Sequence, residues 1–149
     1  MIERAGFVGI VKTKTIDAET LKVVAEKEYR NKINNYLLQS VVKWLTGGGA
    51  VIPPTQISLG NGLGTPAAND PGLWSPISGT LKTADYIQVY QTFYAQYAHT
   101  YQATDPSGQY TEILLSDTNG NPWCHVAVND YKSTSQLYTV QWQILFQGN

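Results

Sequence analysis

Three glycines at every second position raise the question of chemistry first. The stretch ISLGNGLGTPAANDPGLWSP (57–76) places Gly60, Gly62 and Gly64 directly after a short apolar run. Glycine-rich turns after a strand can bare backbone amides that cradle phosphate. A Walker loop also needs a lysine straight after its last glycine, and here the nearest that follows is Lys82. A dinucleotide fingerprint needs GxGxxG opening a helix. Here the spacing is GxGxG, and the continuation TPAANDPGLWSP is broken by prolines. The stretch reads instead as a strand that ends in a glycine turn, with glycines allowing positive φ or close backbone approach.

Cys124 and His125 are neighbours in WCHVAV (123–128), which alternates like a strand. Adjacent strand residues point to opposite faces, so the two side chains diverge and cannot act as nucleophile and base or share a metal. Cys124 reads as a packed thiol. The remaining histidine, His99, sits in a tyrosine-rich run. Glu112, Asp105, Asp117 and Asp130 lie in or beside turns, and Asp117 and Asp130 flank one hairpin and could approach each other. Aspartates of this kind more often bond their own turn backbone than form an acid/base pair. No catalytic, cofactor-binding or metal-binding residue is assigned, no cofactor is expected, and the chain reads as a non-enzyme.

Aromatic residues supply the other chemistry. Tyr86, Tyr90 and Tyr94 would line one face of a strand, and Trp74 sits in the loop after the glycines. Such residues can form a protein interface or a glycan platform. Base stacking wants a basic groove beside the rings. Residues 47–149 hold only two basic side chains, Lys82 and Lys132, against six acidic ones, so nucleic acid is not an expected partner. Residues 1–46 hold eight basic and five acidic side chains. A weakly charged surface of amides, hydroxyls and tyrosines is easily covered by another protein, because few ions must be desolvated.

These residues need a frame. The 149 residues make one domain, and a single cysteine excludes an internal disulfide. MIERAGFVGIVKTK contains neither a signal-peptide core nor a membrane span, so synthesis in a cytoplasm is the expectation. GFVGIVKTKTID (6–17) and LKVVAEKEY (21–29) alternate around the turn DAET and predict an N-terminal hairpin. Residues 31–46 predict one helix, capped by Asn31 and ended by Gly47. Its stripe Ile33, Leu37, Val41 and Trp44, widened by Leu38, Val42 and Leu45, predicts a largely buried element. After Gly49 the pattern is all β. TQISLG (55–60) is a strand, YIQVYQTFYAQYAHTYQ (86–102) is one bent strand or two, and YTEILLS (110–116) meets WCHVAV across an Asn-Gly turn. LYTVQWQILF (137–146) closes the chain. The expected fold is mainly β: an antiparallel β-sandwich with one buried helix, residues 1–29 forming a hairpin arm and 30–149 the sandwich domain, a closed barrel being the alternative.

The order of parts resembles small tailed-bacteriophage virion proteins of the tail, collar, baseplate or fibre-attachment type. The resemblance spans residues 28–147. It rests on EYRNKI with the helix after it, on ISLGNGLGTPAANDPGL as strand, G-x-G, proline, Asp and apolar stop, on the T-E-x-x-L hairpin GQYTEILLSDTNGNPWCHVAV, and on the final strand. In those proteins the hairpin reads E-x-G-L; this chain has Glu112-Ile113-Leu114-Leu115. The resemblance implies a structural, homo-oligomeric role, with a trimer favoured, in a virion at a tail, neck, fibre-base or head-decoration position, with other virion proteins as partners. A carbohydrate-binding module built on the strand tyrosines and tryptophans, with a host glycan as ligand, is the alternative.

Overall fold

The computed structural model describes residues 6–90 and 94–147. These described residues form nine strands and one helix: β1 Gly6–Asp17, β2 Val23–Ile33, α1 Asn35–Leu45, β3 Gln56–Gly60, β4 Lys82–Thr83, β5 Tyr86–Tyr90, β6 Tyr94–Tyr101, β7 Gly108–Ser116, β8 Pro122–Lys132 and β9 Gln136–Gln147. The long run 86–102 is thus two strands, paired Tyr90 to Tyr94 across residues 91–93, which lie outside the described residues.

All nine strands join one antiparallel sheet in the order β4-β3-β7-β8-β2-β1-β9-β6-β5, curled into a half-barrel. A sandwich would have two separate sheets, and the alternation alone predicts that arrangement. What joins the halves is the far end of β2, where Lys32 pairs with His125 and Ile33 with Cys124. The curl follows from the chain itself. β4 and β5 stand at opposite ends of the strand order, yet only Ala84 and Asp85 lie between them. The Ala84 N–H donates to the Thr55 carbonyl at 2.8 Å, and the Asp85 N–H donates to Ala98 on β6 at 2.7 Å. Two successive amides therefore serve the two ends of the sheet.

The core lies within the curl. Val11, Tyr97, Tyr101, Tyr138, Val140 and Trp142 from one half share a buried cluster with Ile57, Leu59, Ile113, Leu115, Cys124 and Val126 from the other. Hydroxyls cross it where the rings are buried, as satisfied polar tips must. Tyr101 Oη lies 2.8 Å from the Thr80 carbonyl and 3.1 Å from that of Ile57. Tyr138 Oη donates to Asp130 at 2.5 Å.

The expected N-terminal hairpin forms over residues 6–29, and it is built into the sheet that the rest of the chain supplies. β1 lies between β2 and β9 and pairs with β9 from Gly6 to Asp17, and β2 runs through the proposed boundary. A strand with partners on both sides gains twice the ladder it would have as a lone hairpin. Asn31 is not the helix cap. It belongs to β2, where its side chain accepts from Trp142 Nε1 at 3.1 Å. Gly9 opposite makes room for it, since a Cβ there would fall 1.6 Å from Asn31 Oδ1. Asn34 occupies the cap position, and Gly47, at φ +68°, takes the left-handed turn expected at the helix end.

The helix is also less buried than its stripe predicts. Only Leu37 and Ser40 are buried, while Leu38, Val42, Trp44 and Leu45 are 43%, 60%, 70% and 68% exposed.

Candidate functional site

The glycine loop wraps a carboxylate of the chain's own. Glu112 on β7 is fully buried. Its Oε2 accepts the Gly62 and Ser75 N–H groups at 2.8 and 2.9 Å, and its Oε1 accepts the Trp74 N–H at 2.8 Å. Amides that might have held a phosphate thus hold Glu112. The spacing of glycines follows from that contact. A Cβ on Gly60 would come 2.6 Å from the Glu112 carboxylate, and one on Gly62 2.5 Å from it and 2.6 Å from Trp74 Cβ. Close backbone approach, not positive φ, is what Gly60 and Gly62 provide.

His125 continues the array. Its Nε2 lies 2.9 Å from Glu112 Oε1 and its Nδ1 2.9 Å from Asp70 Oδ2, which also accepts the Ala67 N–H at 2.8 Å. The Trp74 ring stands edge-on to the imidazole, with centroids 4.5 Å apart. Asp70, His125 and Glu112 superficially look like the parts of an acid/base relay. Neither His125 nor Glu112 has any solvent-exposed surface, and every bond named is internal. A general base must reach a substrate proton, and these groups are spent on holding residues 61–76 against β7 and β8. Cys124, next in sequence, points the other way into the core, where burial pushes its thiol pKa up. Among the described residues no group of three histidine, cysteine, aspartate or glutamate side chains could hold a metal ion.

Asp117 and Asp130 do not meet. Asp117 bonds its own turn through the Asn119 and Asn121 N–H groups at 2.9 and 3.0 Å, and takes Trp123 Nε1–H at 3.2 Å. Asp130 lies under the N-terminal hairpin and accepts from Thr13, Tyr29 and Tyr138. Both cations of the second part of the chain are also engaged internally. Lys82 pairs with Asp105 at 3.1 Å, and Lys132 donates to the carbonyls of Ala103, Asp105 and Ser133.

Tyr86, Tyr90 and Tyr94 do share one face, but as a hairpin rather than one strand. Tyr90 stacks on Tyr94 with centroids 5.1 Å apart and planes 11° from parallel. Tyr86 Oη accepts from Gln96, which in turn accepts from Gln143 at 3.0 Å. Trp74 is not part of this group, being engaged with His125, Gly62 and Gly64.

On the opposite face of β5 lies an apolar concavity. It holds about 330 Å³ between α1 (Leu37, Val41) and the strands β5, β6, β9 and β1 (Val89, Ala95, Tyr97, Ile144, Phe146, Phe7). Its rim is uncovered: Val89 is 72% and Phe146 54% exposed. With the outward residues of α1 it makes one apolar end to the molecule. Monomeric proteins seldom leave such an area open to water. In the sequence this signal is the helix stripe, whose periodicity alone predicts self-burial.

No protein-family model, no curated protein and no solved structure matches the chain. No helix among the described residues is long and apolar enough to cross a membrane.

Proposed function

We propose that the chain is a non-enzymatic structural component of a tailed-phage virion that acts by self-association and by docking onto other virion proteins. The observation that carries this reading is the apolar end: Leu38, Val42, Trp44 and Leu45 on α1 stand outward beside a groove that has no cover. Burial of such side chains stabilises by about 1.5–3 kcal/mol each when a partner removes them from water. The order of parts across residues 28–147 supplies the virion setting and the expectation of a homo-oligomer. The internal use of Lys82 and Lys132 supports a protein partner over nucleic acid. The test is antibody labelling of intact virions from the source of this sequence. Label at a fixed tail, neck, fibre-base or head position is expected; particles free of the chain would contradict the proposal.

A second reading has one observation in its favour. Tyr86, Tyr90 and Tyr94 lie on the same face as the amide side chains of Gln88, Gln96 and Gln143, and aromatic faces flanked by amides suit a sugar. Replacing Tyr90 and Tyr94 by alanine should then abolish signal on a glycan array while the chain stays folded. No signal from the unaltered chain would rule this reading out.

A further inference from the structure

We infer that the free edge of β5 pairs antiparallel with β5 of a second copy, about a two-fold axis at Gln88. A nine-stranded sheet that stays open has two end strands, here β4 and β5. Natural sheets blunt such ends with short strands, charges, prolines or bulges, because an unpaired row of N–H and C=O groups recruits another strand. β4 is blunted: it has two residues, one of them Lys82. The outer stretch of β2 is also exposed, and there Glu26, Lys27 and Glu28 follow one another. β5 reads Tyr-Ile-Gln-Val-Tyr, with no charge, no proline and a regular register against β6. It is the one end strand with none of these protections.

The same five residues are complementary to themselves. About Gln88, Tyr86 meets the partner's Tyr90, Ile87 meets the partner's Val89, and Gln88 meets the partner's Gln88. Each cross-strand pair is then aromatic with aromatic, aliphatic with aliphatic, or amide with amide, the combinations that favour pairing. A charge on the axis would meet its like, and so would like charges at symmetry-paired positions; β5 carries no charge at all. Ile87 and Val89, 45% and 72% exposed, would be covered by the added strand, and Val89 also lines the apolar groove. This pairing is two-fold, unlike the trimer the phage resemblance favours, and it stands whether or not the chain is a virion protein.

The experiment measures the mass of the full chain by sedimentation equilibrium over a concentration series, for wild type, Val89→Lys, Gln88→Cys and Glu26→Cys. Wild type should dimerise. Val89→Lys places a charge at the edge of a side chain that is already mostly exposed, so it should fold and raise the dissociation constant about tenfold or more. At the axis, paired Cα atoms stand about 4.5–5.5 Å apart, within disulfide reach. Gln88→Cys should therefore form a disulfide-linked dimer on mild oxidation, and Glu26→Cys, on the charged strand, should not; the native Cys124 is buried and silent. A wild-type chain that stays monomeric, an unchanged dissociation constant for Val89→Lys, or equal cross-linking of the two cysteine variants would each overturn the inference. If Val89→Lys fails to fold, the cross-linking comparison decides alone.

Discussion

Two faces of the same sheet are finished in different ways. Over β7 and β8 the loop 61–76 covers the sheet, and Glu112, His125 and Asp70 bind it there through a chain of internal hydrogen bonds. At the other end, α1 lends only Leu37 and Val41 to the wall of a groove shared with β6 and β9, and the groove and an apolar helix face stay uncovered. The first region has spent its polar groups on itself. The second leaves apolar side chains open to solvent. Histidine and paired carboxylates draw the eye as chemistry, yet here they hold a loop in place, while an ordinary run of Leu, Val and Trp is what stands open.

The largest expected effect breaks the finished region. Glu112→Ala removes the acceptor of three backbone N–H groups and of His125. It should destabilise the chain by about 3–5 kcal/mol in urea unfolding, the range for removing one side of a buried ionic network. Gly62→Ala comes next. Its Cβ would fall 2.5 Å from Glu112 Oε2, so the loop must shift, at about 1–3 kcal/mol by the same measurement.

A smaller effect appears at the turn between β7 and β8, whose Asn121 donates to Tyr36 of α1 at 3.1 Å. Burial alone would raise the pKa of Asp117, but bonds from Asn121, Trp123 and Asn119 outweigh it and hold the carboxyl below its ordinary value of 3.8. A pKa lower in the folded than in the unfolded chain gives stability that is present above about pH 4 and lost as pH falls through the folded value. Asp117→Asn should therefore be less stable than wild type at neutral pH, and the gap should close on acidification below pH 3.8. The smallest effect on stability belongs to the open region. Trp44→Ser and Leu45→Ser should each change unfolding free energy by no more than about 0.5 kcal/mol, while weakening association with partner proteins in a co-sedimentation assay. A large loss of stability from Trp44→Ser would mean that the helix face is core after all.

Much of the frame was legible in the residues. The alternation of 6–17 and 137–146, the Asn-Gly turn and the Gly47 stop each have a local cause and appear in place. What failed was long-range. Asn31 reads as a cap because Asn precedes an apolar stripe, but whether β2 ends before or after it depends on pairing with Gly9 and with β8. The single sheet depends on two residue pairs, Lys32–His125 and Ile33–Cys124, that no local pattern marks. The clamp joins residues 13 and 55 apart in sequence to His125, so only its glycines show, and they show as gaps. The helix stripe is plain in the sequence, but amphipathic periodicity says that a face is apolar, not whose core it joins.

Amide hydrogen exchange of the full chain at high and at low concentration tests the contrast between the two ends most directly. The account predicts that dilution speeds exchange in β5, residues 86–90, beside the apolar groove, and leaves the loop 61–76 unchanged. Slowing on concentration within 61–76, or the same exchange everywhere at both concentrations, would contradict it.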